Sequence, residues 1–177
     1  HPDLAASQAA TDLVEGLAAY HPSPHEERLI RQAYAIACEA HQDQRRNSGE
    51  PYIDHPIAVA RILIELHLDA ASIAAALLHD VVEDTGIPLE EISKQFGPKI
   101  ASLIDGLTKI SGTYNKETNS LQAENFRKML MTLSDDFRVI LVKIADRLHN
   151  MRTLDSMPEH KRMKIAGETV YLYAPLA

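Results

Sequence analysis

The stretch Ala74-Ala-Ala-Leu-Leu-His-Asp-Val-Val-Glu-Asp-Thr85 decides the fold, because it joins an apolar run to two pairs of ionisable residues. Its composition predicts a buried helix. At 3.6 residues per turn, His79 and Glu83 share one face of that helix, as do Asp80 and Asp84. A buried carboxylate is costly unless it is paired, so the pattern favours a divalent metal. The alternative for the Glu83-Asp84 pair is a helix end that simply faces water.

Two further residues of the type that binds metals lie in other apolar helices. His55 occurs in Tyr52-Ile-Asp-His-Pro-Ile57, where Pro56 suits the first helical position and places His55 at the mouth of a helix. Asp146 follows the stretch Val139-Ile-Leu-Val-Lys-Ile-Ala145, which is too apolar to face solvent. The predicted metal ligands are therefore His55, His79, Asp80 and Asp146. This mixed nitrogen and oxygen set suits Mn, Fe, Zn or Mg. His149, one turn beyond Asp146, is a rival ligand.

The composition is that of one globular domain. The chain has 177 residues, one cysteine and a formal net charge of −7. A chain of this length can bury one core without disulfides. The negative charge argues against a nucleic-acid duplex as a direct partner, and no apolar stretch is long enough to span a membrane.

Apolar periodicity and helix breakers predict an all-α fold. The expected helices run from Pro24 to about His41, from Pro56 to about Leu66, from Ser72 to about Asp84, from Leu89 to Phe96, from Pro98 through Leu107, through Phe126 to Leu133, from Asp135 with Ser134 as its cap, and from about Pro158 to Tyr173. The polar segment 111–120 is interpreted as a loop, with a lid as its functional hypothesis. Residues 1–24 are expected to form a helical extension to a domain that spans residues 25–177.

A second polar constellation lies in Lys143-Ile-Ala-Asp-Arg-Leu-His-Asn-Met-Arg-Thr-Leu154. Asp146, Asn150 and Thr153 follow i, i+4, i+7 spacing and share one helix face. This face can hold a ligand beside a metal ion. Nearby cations are available to offset phosphate charge, namely Lys143, Arg147 and Arg152. Arg45-Arg46 adds planar groups that suit a phosphate or a base, with a solvated charge pair as the alternative.

These motifs together resemble the hydrolase domain of RelA/SpoT homologues, within the HD superfamily of metal-dependent phosphohydrolases. The resemblance covers about residues 25–177 and is carried by three separated motifs in the family's order, Arg46 to Pro56, Leu78 to Thr85, and Leu141 to Leu154. It implies an all-α HD-type fold with a metal site among its central helices. The end of the chain resembles the point where long members continue toward a synthetase domain. Any contact with the ribosome is expected only through C-terminal regions absent from this chain.

The resemblance assigns roles to individual residues. It implies that the four predicted ligands bind one Mn²⁺ ion and that Glu83 and Asp84 activate the attacking water. Four residues match positions around the guanosine nucleotide, with Arg46 packed on the base: Arg46, Ser48, Asn150 and Thr153. Asn47 also belongs to the substrate-binding set, but many family members have Lys there. This departure affects the expected affinity for substrate, or the preference between ppGpp and pppGpp, more than catalysis.

The implied reaction is removal of the 3′-pyrophosphate of ppGpp or pppGpp, which gives GDP or GTP and pyrophosphate. The setting implied is the bacterial stringent response in the cytoplasm. Two alternatives stay open. The first is an HD-type phosphohydrolase acting on another nucleotide, which would have no reason to keep the Arg46 to Pro51 loop beside Asn150 and Thr153. The second is a non-catalytic nucleotide-sensing module, which could dispense with Glu83 and Asp84.

Overall fold

The computed structural model describes residues 2–113 and 136–170. Its α-helices are α1 (Pro2–Gly16), α2 (Pro24–Ala40), α3 (Asp54–Glu65), α4 (Ala70–Thr85), α5 (Leu89–Phe96), α6 (Pro98–Thr113), α7 (Phe137–Arg152) and α8 (Glu159–Glu168). Short 3-10 turns cover Ala18–Tyr20 and Leu154–Ser156. None of the helices in these residues has the length and apolar composition needed to cross a membrane.

Helix α4 is the central element of the core. It packs against α2, α3, α6 and α7. Its side chains from Ile73 to Leu78 are fully buried, as expected for a helix that is apolar on all sides. Asp69 caps its first turn by accepting a hydrogen bond from the Ser72 backbone N–H, and Gly86 ends it with a left-handed φ of 72°. The polar C-terminal end of α4 therefore follows directly on the buried part of the helix.

The N-terminal helix α1 shares this core. Leu13, Val14 and Leu17 are all at least nine-tenths buried, and α1 packs against α2 and α3. Ser23 begins α2 with a reciprocal capping box to Glu26, in agreement with the predicted start at Pro24.

Several helix boundaries differ from the sequence predictions, among them the start of α4, which is Ala70 and not Ser72. Helix α3 begins at Asp54, so His55 lies inside its first turn, because the Asp54 and His55 backbone N–H groups donate to the Pro51 and Tyr52 carbonyls. Pro56 is tolerated there because first-turn N–H groups have no intrahelical partner. Helix α7 begins at Phe137 with Asp136, and not Ser134, as its cap; the Asp136 carboxylate accepts from the Arg138 N–H at 3.0 Å.

The predicted loop 111–120 is wrong in its first part, because α6 continues through Thr113. Three further predictions lie outside the described residues: the rest of this loop, the amphipathic helix from Phe126 to Leu133, and the helix cap at Ser134. The last predicted helix is present as α8, and the expected end at Tyr173 also lies outside them.

A compact turn connects α2 to α3 and carries the first predicted substrate residues. The Arg46 N–H donates to the Glu50 carbonyl and the Gly49 N–H donates to the Arg46 carbonyl, both at 2.9 Å. Gly49 adopts a φ of 87°, which glycine adopts without a steric penalty. The Tyr52 N–H closes the base of the turn on the Gln44 carbonyl at 2.9 Å. The turn thereby fixes Arg46 beside the start of α3.

Candidate metal centre and its cavity

The four predicted metal ligands converge where α3, α4 and α7 meet. His55 comes from α3, His79 and Asp80 come from α4, and Asp146 comes from α7. His55 Nε2 lies 2.7 Å from Asp146 Oδ1, and His79 Nε2 lies 3.1 Å from Asp80 Oδ1 and 3.7 Å from Asp146 Oδ1. Both imidazoles and Asp80 are more than nine-tenths buried. These four residues are called the His–Asp cluster below.

Hydrogen bonds fix the ring nitrogen that His79 directs into the cluster. Its Nδ1 donates to the Ala76 carbonyl oxygen at 2.7 Å, so the neutral ring carries its lone pair on Nε2. That lone pair faces the oxygens of Asp80 and Asp146. Because a lone pair and two carboxylates repel one another, the arrangement requires a cation, either a proton or a metal ion.

The ring of His55 is fixed in the same way from behind. Its Nδ1 lies 2.6 Å from His149 Nδ1, which in turn lies 3.1 Å from Arg46 Nη1. Arg46 Nη1 also lies 3.3 Å from His55 Nδ1, so the guanidinium donates toward both ring nitrogens, and one of the two nitrogens carries the hydrogen that lies between them. His55 Nε2 is then the nitrogen available to face Asp146. His149, considered from sequence as a rival ligand, lies behind His55 and supports its ring.

The pKa shifts of His79, Asp80 and Asp146 also indicate that the cluster needs positive charge. Burial disfavours the charged form of His79, but the adjacent Asp80 carboxylate raises its pKa to about 9. Burial opposes ionisation of Asp80 and Asp146 as well, yet His79 and His55 hold the pKa of each carboxyl well below its usual range. His149 shifts the other way, because burial and the nearby positive charges lower its pKa to about 4. Protonated His79 therefore offsets part of the negative charge of the two carboxylates in the absence of a metal.

The donor set fits a divalent metal of borderline character. Two imidazole nitrogens and two carboxylates, with one nitrogen of each ring already hydrogen-bonded elsewhere, match the usual arrangement of oriented metal ligands. As placed, the donor atoms of the four residues contact one another directly. Within residues 2–113 and 136–170, no group of three or more His, Cys, Asp or Glu side chains is arranged so that it could enclose a metal ion. Ligands at about 2.1 Å from a metal lie about 3 Å from one another, so these four side chains would have to move apart slightly to enclose an ion.

Tyr52 is a member of the site that the sequence reasoning missed. Its hydroxyl donates to Asp80 Oδ2 at 2.7 Å, which leaves Oδ1 facing His79. Burial and the Asp80 charge raise the pKa of Tyr52, so its hydroxyl stays protonated and remains a donor. The His41 ring packs against Tyr52 with ring centroids 4.8 Å apart. The only sequence signal was its place three residues before His55.

Glu83 and Asp84 lie one turn beyond the cluster, at the exposed end of α4. Partial desolvation raises the pKa of both carboxyls, and the Asp80 charge adds to each shift. Lys143 on α7 is only 7% exposed, and its charge opposes the shift at Glu83. The acidic pair is thus placed beside the cluster, with pKa values moved toward neutrality.

The predicted substrate residues lie in three places. Arg46 Nη2 donates to Asn150 Oδ1 at 3.1 Å, so these two residues meet next to the cluster. The Thr153 hydroxyl instead donates to the His149 carbonyl at 3.0 Å at the end of α7. Ser48 and Asn47 lie exposed on the turn before α3.

A cavity of about 250 Å³ opens between this turn and α8, and six of its lining residues are Arg45, Arg46, Asn47, Tyr52, Met157 and Lys161. Arg46 and Tyr52 separate it from the His–Asp cluster. Within the part of the chain that the structure describes, three of the lining residues are basic and none is acidic. We call it the cationic cavity. A larger cavity of about 640 Å³ lies between α2 and α5, and none of the predicted site residues lines it.

Arg147 is not directed at the site. Its Nη2 donates to Glu168 Oε2 at 2.8 Å, and the two side chains are 10% and 17% exposed. This pair joins α7 to α8. Of the cations considered as partners for phosphate, Arg147 is therefore engaged elsewhere, and Arg152 lies exposed on the last turn of α7.

Comparisons with known proteins show the family of the chain. A family model described as an HD domain matches residues 33–177. The chain is 51% identical over 166 residues to "GTP pyrophosphokinase rsh" of Brucella melitensis biotype 1, covering 94% of the chain and 22% of that protein. It is 51% identical over 158 residues to "Bifunctional (p)ppGpp synthase/hydrolase SpoT" of Escherichia coli K12, covering 89% and 22%. The chain thus spans about a fifth of the length of these relatives.

A solved structure also matches over most of its length. It is described as "A metazoan ortholog of SpoT hydrolyzes ppGpp and plays a role in starvation responses". The match has a TM-score of 0.63 at 26% sequence identity, and it covers 88% of this chain and 93% of the other.

Proposed function

The chain belongs to the HD domain family, and from that membership we propose that it hydrolyses the 3′-pyrophosphate of ppGpp and pppGpp. The products are GDP or GTP and pyrophosphate. The observation that carries the proposal is the meeting of the His–Asp cluster, the Glu83-Asp84 pair and the Arg46–Asn150 contact within one region of the fold. The relatives named for (p)ppGpp synthesis and hydrolysis support the same substrate class. A cytoplasmic location is part of the proposal.

We infer that the His–Asp cluster holds one divalent ion, with Mn²⁺ as the proposed metal. Such an ion supplies a Lewis acid that lowers the pKa of a bound water and offsets phosphoryl charge. The contribution of the chain is to fix the donors. Ala76 and His149 orient the two imidazoles, and Tyr52 orients Asp80. The low carboxyl pKa values keep Asp80 and Asp146 ionised at neutral pH.

Glu83 and Asp84 are the proposed proton acceptors for the attacking water. Both carboxyl pKa values are raised, which brings them closer to the pH at which a general base works best. Lys143 counteracts this shift at Glu83 and keeps that carboxylate available to accept a proton. Because neither residue belongs to the proposed ligand set, their contribution is separable from metal binding.

Arg46 and Asn150 are proposed to hold the guanosine nucleotide. Bonds to His149 and Asn150 fix the guanidinium plane, which offers one flat face to a base. Asn47 and Ser48 on the same turn, and Thr153 at the end of α7, complete the proposed nucleotide-binding set. This position of the base would direct the 3′-pyrophosphate toward the His–Asp cluster.

The test is release of pyrophosphate from ppGpp and pppGpp by chelator-treated protein supplied separately with Mn²⁺, Mg²⁺ or Zn²⁺. We expect no activity without metal and the highest activity with Mn²⁺. Asp146→Asn should abolish both metal binding and hydrolysis. Full activity of a metal-free preparation would contradict the proposal.

The same assay separates the two alternatives. An HD-type phosphohydrolase with another substrate would leave ppGpp intact and release phosphate from a different nucleotide in a panel that includes deoxynucleoside triphosphates. A nucleotide-sensing module would bind ppGpp tightly with no turnover under any metal condition. A direct binding measurement on each nucleotide distinguishes these two outcomes.

A further inference from the structure

His41 is a buried histidine that has no role in the proposed function. It follows the last residue of α2 and is 1% exposed. Its backbone carbonyl accepts from the Gln44 N–H at 3.0 Å, and its Nδ1 lies 2.7 Å from Gln44 Oε1. Because a carbonyl oxygen only accepts, Nδ1 donates in this contact, and the neutral ring carries its lone pair on Nε2. The ring is therefore held in one orientation, with Nε2 as the nitrogen left to act on other groups.

His41 Nε2 is an exception among the buried polar atoms. It is enclosed by protein, yet within residues 2–113 and 136–170 it forms no hydrogen bond. Nearly all buried polar groups have a partner, because an unpaired one keeps the cost of leaving water. An atom of this kind next to a candidate active site indicates a partner that it engages during function.

The acidic end of α4 lies beside this ring. The His41 and Tyr52 rings pack with their centroids 4.8 Å apart, and the Tyr52 hydroxyl donates to Asp80 Oδ2 at 2.7 Å. Asp84 is one helical turn beyond Asp80 and shares its face of α4, which packs against α2. His41 therefore lies along the face of α4 that carries Asp84.

The pKa of Asp84 reflects the same proximity. Burial raises the pKa of Asp84, whereas positive charge on His41 or His79 opposes the rise. At Glu83 the opposing charges are those of Lys143 and His79. Apart from the shared His79, each carboxylate of the acidic pair thus faces a different basic residue, and His41 is the one beside Asp84.

We propose that His41 is a positioning residue for Asp84, whose carboxylate it holds through Nε2 in the orientation that accepts a proton from the attacking water. The inference rests on the proposed function, which makes Asp84 one of the two proton acceptors. With its hydrogen on Nδ1, the neutral ring reaches the carboxylate through a water that donates to both groups. A protonated ring donates to the carboxylate directly.

Two variants of His41 separate the roles of its two nitrogens. Both remove the ring and its contact with Tyr52, but the amide nitrogen of Asn lies near the position of Nδ1, and that of Gln lies near the position of Nε2. The two variants should therefore share one KM for ppGpp and one affinity for Mn²⁺. The kcat of His41→Asn should be about 10- to 100-fold lower than that of His41→Gln, because only Gln still holds Asp84.

His67→Asn is the matched control. His67 is exposed, and its Nδ1 lies 2.8 Å from the Tyr20 hydroxyl, away from the His–Asp cluster. This variant should keep the kcat of the unaltered chain. Equal kcat values for His41→Asn and His41→Gln would mean that only the ring matters, and they would overturn the inference. A difference confined to KM or to metal affinity would overturn it as well.

A measurement without turnover tests the contact itself. Nitrogen NMR of metal-free protein reports the two ring nitrogens of His41 separately. Asp84→Asn should shift the Nε2 resonance and leave Nδ1 in place, whereas Glu83→Gln should move neither. An unmoved Nε2 in Asp84→Asn, or an equal shift in both variants, would contradict the inference. If Nε2 responds as expected while the unaltered chain hydrolyses no ppGpp with any metal, the contact between His41 and Asp84 stands and the proposed function fails.

Discussion

At the scale of single residues, Asp80 is held by two partners of different kinds. His79 Nε2 faces one carboxylate oxygen at 3.1 Å, and the Tyr52 hydroxyl donates to the other at 2.7 Å. Tyr52→Phe removes that donor while it keeps the ring that packs on His41. We expect metal affinity to fall by about 10- to 100-fold, the usual effect of losing a group that orients a metal ligand. Competition with a fluorescent chelator measures the change.

Tyr34 offers a matched control for this prediction. It is a buried tyrosine on α2 whose hydroxyl bonds to Cys38, away from the His–Asp cluster. Tyr34→Phe should leave metal affinity unchanged. If both variants lose metal equally, Tyr52 acts on general stability and not on Asp80.

Glu83 tests the separation between metal binding and proton transfer. Glu83→Gln keeps the size of the side chain but removes its capacity to accept a proton. Turnover of ppGpp should slow by about 10²-fold or more, whereas metal and nucleotide remain bound. Single-turnover kinetics with parallel metal analysis check both halves. Loss of metal in this variant would place Glu83 among the ligands.

Adjacent arginines provide a comparison within one turn. Arg46 contacts His149 and Asn150, whereas Arg45 is exposed and bonds to a backbone carbonyl of its own turn. Arg46→Ala should therefore weaken binding of a non-hydrolysed ppGpp analogue more than Arg45→Ala does. Loss of a stacking contact is worth about 0.5–2 kcal/mol. Equal losses in the two variants would place the base elsewhere.

At the scale of secondary structure elements, helices with local signals were predicted most accurately. Helix α5 and the starts of α2 and α6 agree with the sequence because Ser23, Gly97 and Pro residues mark them directly. The start of α3 was placed two residues late, since a turn that depends on the Pro51 and Tyr52 carbonyls extended it. The cap of α7 was assigned to Ser134, although Asp136 is an equally strong capping residue and lies adjacent to the helix.

The ion pair between α7 and α8 leads to a prediction at this scale. Arg147 and Glu168 are both largely buried and bond at 2.8 Å. Arg147→Met leaves the Glu168 carboxylate without this partner, so the free energy of unfolding should fall by about 3 kcal/mol. Arg152→Met, an exposed change on the same helix, should cost little. Urea unfolding of the two variants decides the matter, and equal stabilities would mean that the pair contributes nothing.

At the scale of the whole molecule, the sequence predicted a set of site residues but not how they contact one another. The resemblance to the RelA/SpoT hydrolase domain, stated from three motifs, is confirmed by 51% identity to proteins of that family, and so is the all-α HD fold. Spacing along a helix indicates which residues share a face. The packing of α3, α4 and α7 decides that Tyr52 reaches Asp80 and that His149 lies behind His55. Such contacts between distant residues leave no periodic signal in the sequence.

The charge of the buried His–Asp cluster makes the stability of the whole molecule depend on pH and metal together. In the metal-free protein the pKa of His79 is raised from 6.5 to about 9, so its contribution to stability is complete below pH 6.5 and is lost as pH rises through 9. The lowered pKa values of Asp80 and Asp146 act in the opposite direction, and their contribution is lost only in acid. The metal-free protein should therefore lose up to about 3 kcal/mol between pH 6.5 and 9.5.

Metal should reverse this trend, because an ion competes with the proton for His79. Its affinity for the cluster should rise with pH up to about 9, so the increase in Tm on adding Mn²⁺ should be larger at pH 8.5 than at pH 6.5. Thermal unfolding with and without metal across this range measures both effects. His79→Gln should flatten the decline of the metal-free protein and remove the Mn²⁺ effect, whereas His160→Gln, an exposed change on α8, should preserve both. A metal-free Tm that rises from pH 6.5 to 9 would mean that His79 is neutral in the folded protein and that the cluster is not balanced by its proton.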